Sequence, residues 1–311
     1  MTVVALSGGV GGAKLALGLS RVLPAEELLV VCNTGDDFEH LGLCISPDID
    51  TVMYTLAGVA NWELGWGRGD ETWSFIDTLG TLGGETWFRL GDRDLAVHIE
   101  RTRRLRAGET LSAITAEFCT RLGVGPRVLP MSDDPVRTRV RTDEGWIDFQ
   151  EYFVRRRCEP AVHELAFHGA TTARAQQDFL AALADPQLKA VVICPSNPFI
   201  SIEPILAVPG VRAALTDCTA PVIAVSPLIG GRAIKGPTAK MMAELGMTPS
   251  AGGVARRYGA LIDGYVCDFA DMDQVAGISA RVTLAQTLMS TLDDREALAR
   301  TVLGAARVLR R

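Results

Sequence analysis

Four glycines, Gly8, Gly9, Gly11 and Gly12, stand between Ser7 and Lys14, directly after an apolar run and at the start of a helical pattern. Glycines in such a turn let backbone amides point inward with no Cβ in the way. The helix start adds partial positive charge, so the string suits a phosphate or diphosphate. It departs from a Walker A loop, because Leu15 follows Lys14 where Ser or Thr would hold magnesium. It also departs from the strict dinucleotide fingerprint, because Lys14 holds the third glycine position. A tight strand-to-helix turn with no ligand is the plain alternative. A second string, Asn33-Thr-Gly-Asp-Asp37, closes the next apolar run. Paired carboxylates beside a phosphate would repel it unless a hard cation stood between them, which points to magnesium with Asp36 as the better ligand. A solvated Gly-Asp-Asp turn explains the same residues equally well. Asp48 and Asp50 follow Pro47 and lead into a helical run ending near Leu56, so one carboxylate could cap the helix and the other bind. Asp36, Asp48 and Asp50 together would make an oxygen-rich site for a divalent ion.

Three further strings carry usable groups. Between Thr86 and Asp94, Arg89 or Arg93 could grip a phosphate or lean on a planar ring, and Trp87 or Phe88 could wall a pocket; an exposed ion-paired loop is the simpler account. Pro195-Ser-Asn-Pro198 and Ser226-Pro-Leu-Ile-Gly-Gly-Arg-Ala-Ile-Lys-Gly-Pro237 each follow an apolar run. They offer Ser196, Asn197, Ser226 and Lys235 for nucleotide contacts, or else as groups that close their own loops. His40, His98, His163 and His168 show no metal-binding spacing, and no G-x-S-x-G elbow occurs, which removes metallopeptidases and serine hydrolases. No Asn-Lys-x-Asp string is present to recognise guanine.

The elements that must position these strings follow from hydrophobic runs. Residues 3–6, 28–32, 190–194, 221–225 and 264–267 are short and continuously apolar, the pattern of strands covered on both faces in a parallel sheet. Leu15, Leu19, Val22 and Leu23 recur at helical spacing between the first two, so the chain opens as a βαβ unit. This predicts an α/β, Rossmann-like, mostly parallel sheet with helices on both faces. Residues 1–61 and 168–311 form its core. Residues 62–167, with all five tryptophans and clustered arginines, form an inserted, mixed but mainly helical subdomain. Helices are expected over 112–122 and from Pro237 to Leu245. An antiparallel strand outside the main sheet is expected within 146–154, and a helix-rich tail over 279–311 ending in Arg310 and Arg311, cations suited to a helix C-terminus.

A chain of 311 residues can bury a full core, and 48% hydrophobic with 22% charged residues is globular usage. The formal net charge of -6 opposes nucleic acid, so no nucleic-acid partner is expected. Seven cysteines without a C-x-x-C pair fit neither a disulfide framework nor a zinc knuckle and read as reduced and mostly buried. No basic leader precedes an apolar stretch and no apolar run approaches membrane-spanning length, so the expectation is a soluble cytoplasmic protein with no membrane partner.

Taken in order, Gly8-Gly-Val-Gly-Gly12, Asn33-Thr-Gly-Asp-Asp37, the string from Pro47 to Gly58, Leu90-Gly-Asp-Arg-Asp-Leu-Ala96, Pro195-Ser-Asn-Pro198, and Ser226 to Gly231 with Lys235-Gly-Pro237 resemble the 2-phospho-L-lactate transferase family, called CofD or FbiA. The resemblance runs from residue 1 to about residue 273. It implies a magnesium-dependent transferase that moves a phosphorylated three-carbon acid from a guanosine diphosphate conjugate to the ribityl hydroxyl of the deazaflavin Fo. GMP is released, in a step toward coenzyme F-420. Gly9, Gly11, Gly12, Lys14, Asn33, Ser196, Asn197, Ser226, Gly230 and Lys235 would then hold the guanosine and diphosphate. Asp36 with Asp48 or Asp50 would hold Mg²⁺. Asp50 and Arg89, with Trp87, would lie around the deazaflavin, and Asp50 could accept the hydroxyl proton. The resemblance also implies a homodimer, and leaves open whether the acid is phospholactate, phosphoenolpyruvate or phosphoglycerate. The competing readings are a non-catalytic YvcK-like regulator that binds nucleotide sugars, disfavoured by the paired acids and the Leu90 string, and an NAD(P)-dependent oxidoreductase, disfavoured by Lys14.

Overall fold

The computed structural model describes residues 2–309; Arg310 and Arg311, expected to close the last helix, lie outside the described residues. The chain opens with β1 (Val3–Ser7), α1 (Gly9–Val22) and β2 (Leu28–Cys32), the expected βαβ unit. A hairpin of β3 (Phe38–His40) and β4 (Leu43–Ile45) follows, then α2 (Pro47–Ala57), α3 (Ser74–Thr81), α4 (Asp92–Arg106), α5 (Leu111–Arg121) and β5 (Arg127–Pro130). Next come β6 (Arg137–Thr142), β7 (Gly145–Asp148), β8 (Glu164–His168), α6 (Gln177–Ala184) and β9 (Ala190–Ile193). The last third holds α7 (Glu203–Ala207), α8 (Val211–Asp217), β10 (Val222–Val225), the short hairpin β11 (Leu228–Ile229) and β12 (Arg232–Ala233), α9 (Thr238–Glu244), α10 (Ala251–Tyr258), β13 (Gly264–Asp268), β14 (Arg281–Ala285) and α11 (Leu292–Val308).

Seven strands build one parallel sheet in the order β14-β13-β10-β9-β1-β2-β5, as the apolar runs predict. Every residue of β1 and β2 is buried, because helices cover both faces. Val4, Leu6, Leu29, Val31, Val191 and Ile193 point to the face packed by α6 to α10. Val3, Ala5, Leu28, Val30 and Val192 point to the face packed by α1, α2, α5 and α11. On that second face α1 and α11 approach closely at Gly18, where a Cβ would stand 2.2 Å from the Arg295 carbonyl oxygen.

Two strands form where none was expected, and two expected elements have shifted bounds. Residues 127–130 lie inside the segment expected to be an insertion, yet β5 extends the main sheet beside β2. Residues 281–285, expected in a helical tail, form β14. Within 146–154 only β7 is extended; it pairs with β6, which pairs in turn with β8, in a three-stranded antiparallel sheet apart from the main one. Pro237 precedes α9 as its N-cap rather than opening it. The chain leaves β1 toward β2 on one side and comes back to β9 on the other, so the strand order reverses between β1 and β9. Open parallel sheets collect ligands outside the carboxyl ends of their strands at such a reversal.

Candidate active site

The glycine turn and the 195–197 loop meet at that reversal. Ser196 Oγ accepts from the Gly8 amide at 3.2 Å and donates to the Gly8 carbonyl at 2.7 Å. Gly11 and Gly12 have no room for side chains: a Cβ on Gly11 would lie 2.3 Å from the Pro195 carbonyl oxygen, and one on Gly12 2.6 Å from Ser196 Oγ. These two glycines therefore bring loop against loop. Gly9, at φ +65°, has open space around its Cα position. Its amide donates at 2.6 Å to Asp48 Oδ1, so a carboxylate already stands on the N-terminus of α1.

Asp48 is fixed from two sides, since Asn33 Nδ2 donates to its Oδ2 at 2.9 Å. Asn33 is otherwise engaged by the Ile200 carbonyl and by the Gly35 amide, so it orients Asp48 rather than facing a ligand. Asp36 is buried nearby, and its Oδ1 has no hydrogen-bond partner. Burial first, and then repulsion from Asp48, push the Asp36 carboxyl well above the usual carboxylate range. Burial raises Asp48 to about 6 and Asp37 to about 7, although Ser46 donates to Asp37 and the Arg137 guanidinium opposes the rise. Buried carboxylates that repel one another, with an orphaned oxygen between loops, form a donor set that suits a hard divalent cation.

Asp50 is placed differently from the expectation that it would join them. Its oxygens take Arg101 Nη1 at 3.0 Å and Arg101 Nη2, and Arg101 is only 1% exposed. Successive acids two residues apart at a helix start point to different sides, so Asp48 faces α1 while Asp50 faces α4. Among the described residues, the one group of three side chains near enough to share an ion is Asp50, Asp94 and His98. That group is closed by Arg101 on Asp50 and by Tyr54, which donates to Asp94 at 2.6 Å. Asp36, Asp48 and Asp50 thus do not converge on one point, and both oxygens of Asp50 are engaged by Arg101.

The aromatic residues gather along one side of the hairpin. Trp87 lies 5.1 Å from the His40 ring and 5.8 Å from Phe88, with Phe38 completing the cluster. Arg89 is exposed and stacks 4.3 Å above Trp73, which meets Trp66 edge-on. The late loops are largely self-satisfied. Asn197 caps the turn at Phe199, and Ser226 exchanges hydrogen bonds with Leu228. The Gly231 amide donates to Asp271, a fully buried acid that anchors the turn containing Gly230. Lys14 donates to the Met289 carbonyl at 2.9 Å, and Lys235 is exposed with its ammonium against Gly65. A hollow of about 770 Å³ between Thr142 and Pro160 lies away from these acids, and its Arg156 is already paired with Glu144 and Glu151.

Sequence reasoning missed Arg101, His98, Tyr54 and Arg295. The first two sit on α4, whose Asp92–Arg106 sequence is so charged that it reads as a solvated helix. The only available signal was the offset of three between His98 and Arg101, which puts both on one face.

The sequence profile described as 2-phospho-L-lactate transferase CofD matches residues 3–304. A phosphoenolpyruvate transferase of Kitasatospora aureofaciens is 44% identical over 320 aligned residues, covering 100% of this chain and 99% of that protein. One from Streptomyces griseus is 41% identical with 100% of both chains covered. One from Mycobacterium tuberculosis is 40% identical over 90% of this chain and 92% of its own. Among solved structures, a UPF0052-family protein from Bacillus halodurans superposes with a TM-score of 0.63 at 13% identity, covering 97% of this chain and 98% of that one, a likeness of fold alone.

Proposed function

The chain belongs to the 2-phospho-L-lactate transferase CofD family, as a transferase of the phosphoenolpyruvate or phospholactate type, and from that premise we propose its full reaction. It moves an enolpyruvyl phosphate group from a GDP-linked donor to the ribityl hydroxyl of the deazaflavin Fo, releasing GMP, as a step toward coenzyme F-420. The observation that carries the choice of acid is the full-length identity to proteins named phosphoenolpyruvate transferases.

Mg²⁺ fits the buried pair Asp36 and Asp48, whose mutual repulsion and orphaned oxygen call for a cation. When bound, it would neutralise diphosphate charge as the phosphorus–oxygen bond to GMP breaks. The chain's own residues do the rest. Asn33 and the Gly9 amide hold Asp48 in one orientation. The remaining free amides of the glycine turn, with Lys14 and Lys235, receive the phosphates. The backbone of the Ser196–Asn197, Ser226 and Gly230 loops lines the guanosine, while their side chains keep those loops in shape. Trp87 and the Arg89–Trp73 stack offer flat faces for the tricyclic acceptor. Much of the acceleration in such a transfer comes from holding hydroxyl and phosphorus in line. The same reading takes the enzyme as cytoplasmic and dimeric; its seven free cysteines suit a reducing compartment.

The experiment incubates the protein with Fo, the enolpyruvyl GDP conjugate and Mg²⁺, following GMP by chromatography and the product by mass. GMP release dependent on Fo is the expected result. Binding of the donor with no GMP release would leave a binding module and defeat the proposal. Faster turnover of the phospholactyl conjugate would overturn only the choice of acid.

A further inference from the structure

Three cations gather at the carboxyl edge of the sheet, and among the described residues none of them is in an ion pair. Lys14 sits in the second turn of α1 and reaches the 286–291 loop that leads from β14 into α11. Arg295 sits near the start of α11, is 8% exposed, and has a buried Nε with no hydrogen-bond partner. Its guanidinium carbon lies 4.2 Å from the centre of the Trp62 ring. Lys235, from the loop after β12, places its ammonium against Gly65, three residues on from that tryptophan. Burial lowers the Lys14 pKa, and repulsion from Arg295 and Lys235 lowers it further, so the three charges share one field. Burial lowers Arg295 as well, against a weaker opposing attraction from Asp294.

Among the described residues, no carboxylate pairs with any of the three. Asp294, next to Arg295 in sequence, instead accepts from the amides of Ser290 and Thr291. Leaving a guanidinium buried and unpaired beside two ammoniums is strongly unfavourable, whereas the same groups around a dianion gain charge-assisted hydrogen bonds. A role confined to packing on Trp62 would need neither the lysines nor the free Nε.

We propose that Arg295 is a phosphate-binding residue of the donor site and forms, with Lys14 and Lys235, a three-cation clamp for a diphosphate, with Trp62 steadying the guanidinium from its open face. The choice of GDP as ligand rests on the function proposed above; the clamp itself rests on the geometry. Full-length wild type, Arg295→Met and Arg295→Lys are compared by calorimetry with GDP and with inorganic pyrophosphate, and by Tm without ligand. Arg295→Met is expected to weaken both ligands by about tenfold or more, and Arg295→Lys to weaken them less. The ligand-free Tm of Arg295→Met is expected to hold or rise, since an uncompensated charge has gone. A lower Tm with unchanged affinities would mean a packing role and overturn the proposal. If Arg295→Met does not fold, Arg295→Lys decides: it keeps one charge but loses the planar fork, so an affinity for pyrophosphate equal to wild type overturns the clamp. Wild-type binding of pyrophosphate but not GDP, weakened by either variant, would keep the clamp and sink the guanosine donor. Failure of wild type to bind either ligand overturns both.

Discussion

Asp48 carries two demands that conflict unless something positive arrives. It satisfies the Gly9 amide and the Asn33 side chain, which favour its charged form, yet it faces a second buried acid, Asp36, whose free oxygen favours the neutral form. Replacing Asp36 by Asn removes the repulsion together with one ligand of the proposed Mg²⁺ site. Asp36→Asn should therefore raise the Tm of the ligand-free protein by a few degrees, roughly 2–4 °C per kcal/mol at this size, while abolishing Mg²⁺-dependent GMP release. A variant as active as wild type would remove Asp36 from the metal site. The acids also set a pH dependence. Asp48 and Asp37 titrate at about 6 and about 7 when folded, above the ordinary 3.8, so the folded state binds their protons more tightly than the unfolded state does. Their contribution to stability is full below the unfolded value and is lost as pH rises through the folded ones. Without metal, Tm should fall between about pH 4 and about pH 8 from this source. The rise in Tm on adding Mg²⁺ should grow over the same window, because the cation favours the ionised acids. Melting curves with and without Mg²⁺ check both signs, and a Mg²⁺ effect that shrinks with pH would place the ion elsewhere.

The tie between α2 and α4 passes through one buried ion pair. Asp50 on α2 holds Arg101 on α4, and His98 and Asp94, one turn apart on α4, extend the network to Tyr54 on α2. Removing one partner of a buried pair leaves the other uncompensated, so Arg101→Ala should cost about 3–5 kcal/mol of stability, read by urea unfolding. Asp50→Ala should likewise unfold more readily, and loss of activity in that variant would then reflect lost structure. Asp50→Ala as stable as wild type would restore Asp50 as a free functional group. How much of this was legible beforehand follows from the elements. The central and near-central strands β1, β2, β9, β10 and β13 are covered on both faces and show as unbroken apolar runs. The edge strands β5 and β14 pair on one side only and carry Arg127 and Arg281, which blurred their pattern. The glycine turn and Asp36 were legible because they follow strand ends, where sheet physics places ligands. Arg101 and Arg295 were not, since each lies within a helix among charged neighbours that read as surface, and only the tertiary packing buries them.

Across the whole molecule, the groups that the proposed function assigns to nucleotide and to acceptor come from different parts of the chain. The sheet edge supplies the glycine turn, the acids and the late loops, while the 66–89 segment supplies Trp66, Trp73, Trp87 and Arg89. Arg89 stacks on Trp73 and touches none of the acids, so Arg89→Ala should raise the KM for Fo severalfold and leave the Kd for GDP unchanged by calorimetry. Equal loss for both ligands would argue against an acceptor role. The clasp between Gly8 and Ser196 reaches across 188 positions of chain, and β9 is the neighbour that β1 needs on its second side. During synthesis, then, the first strand leaves the ribosome with one bare edge and keeps it until more than half the polypeptide has followed, an interval in which that edge is open to pairing with other chains. Any shortened product ending ahead of β9 inherits the exposure permanently and should precipitate rather than survive as a smaller working enzyme.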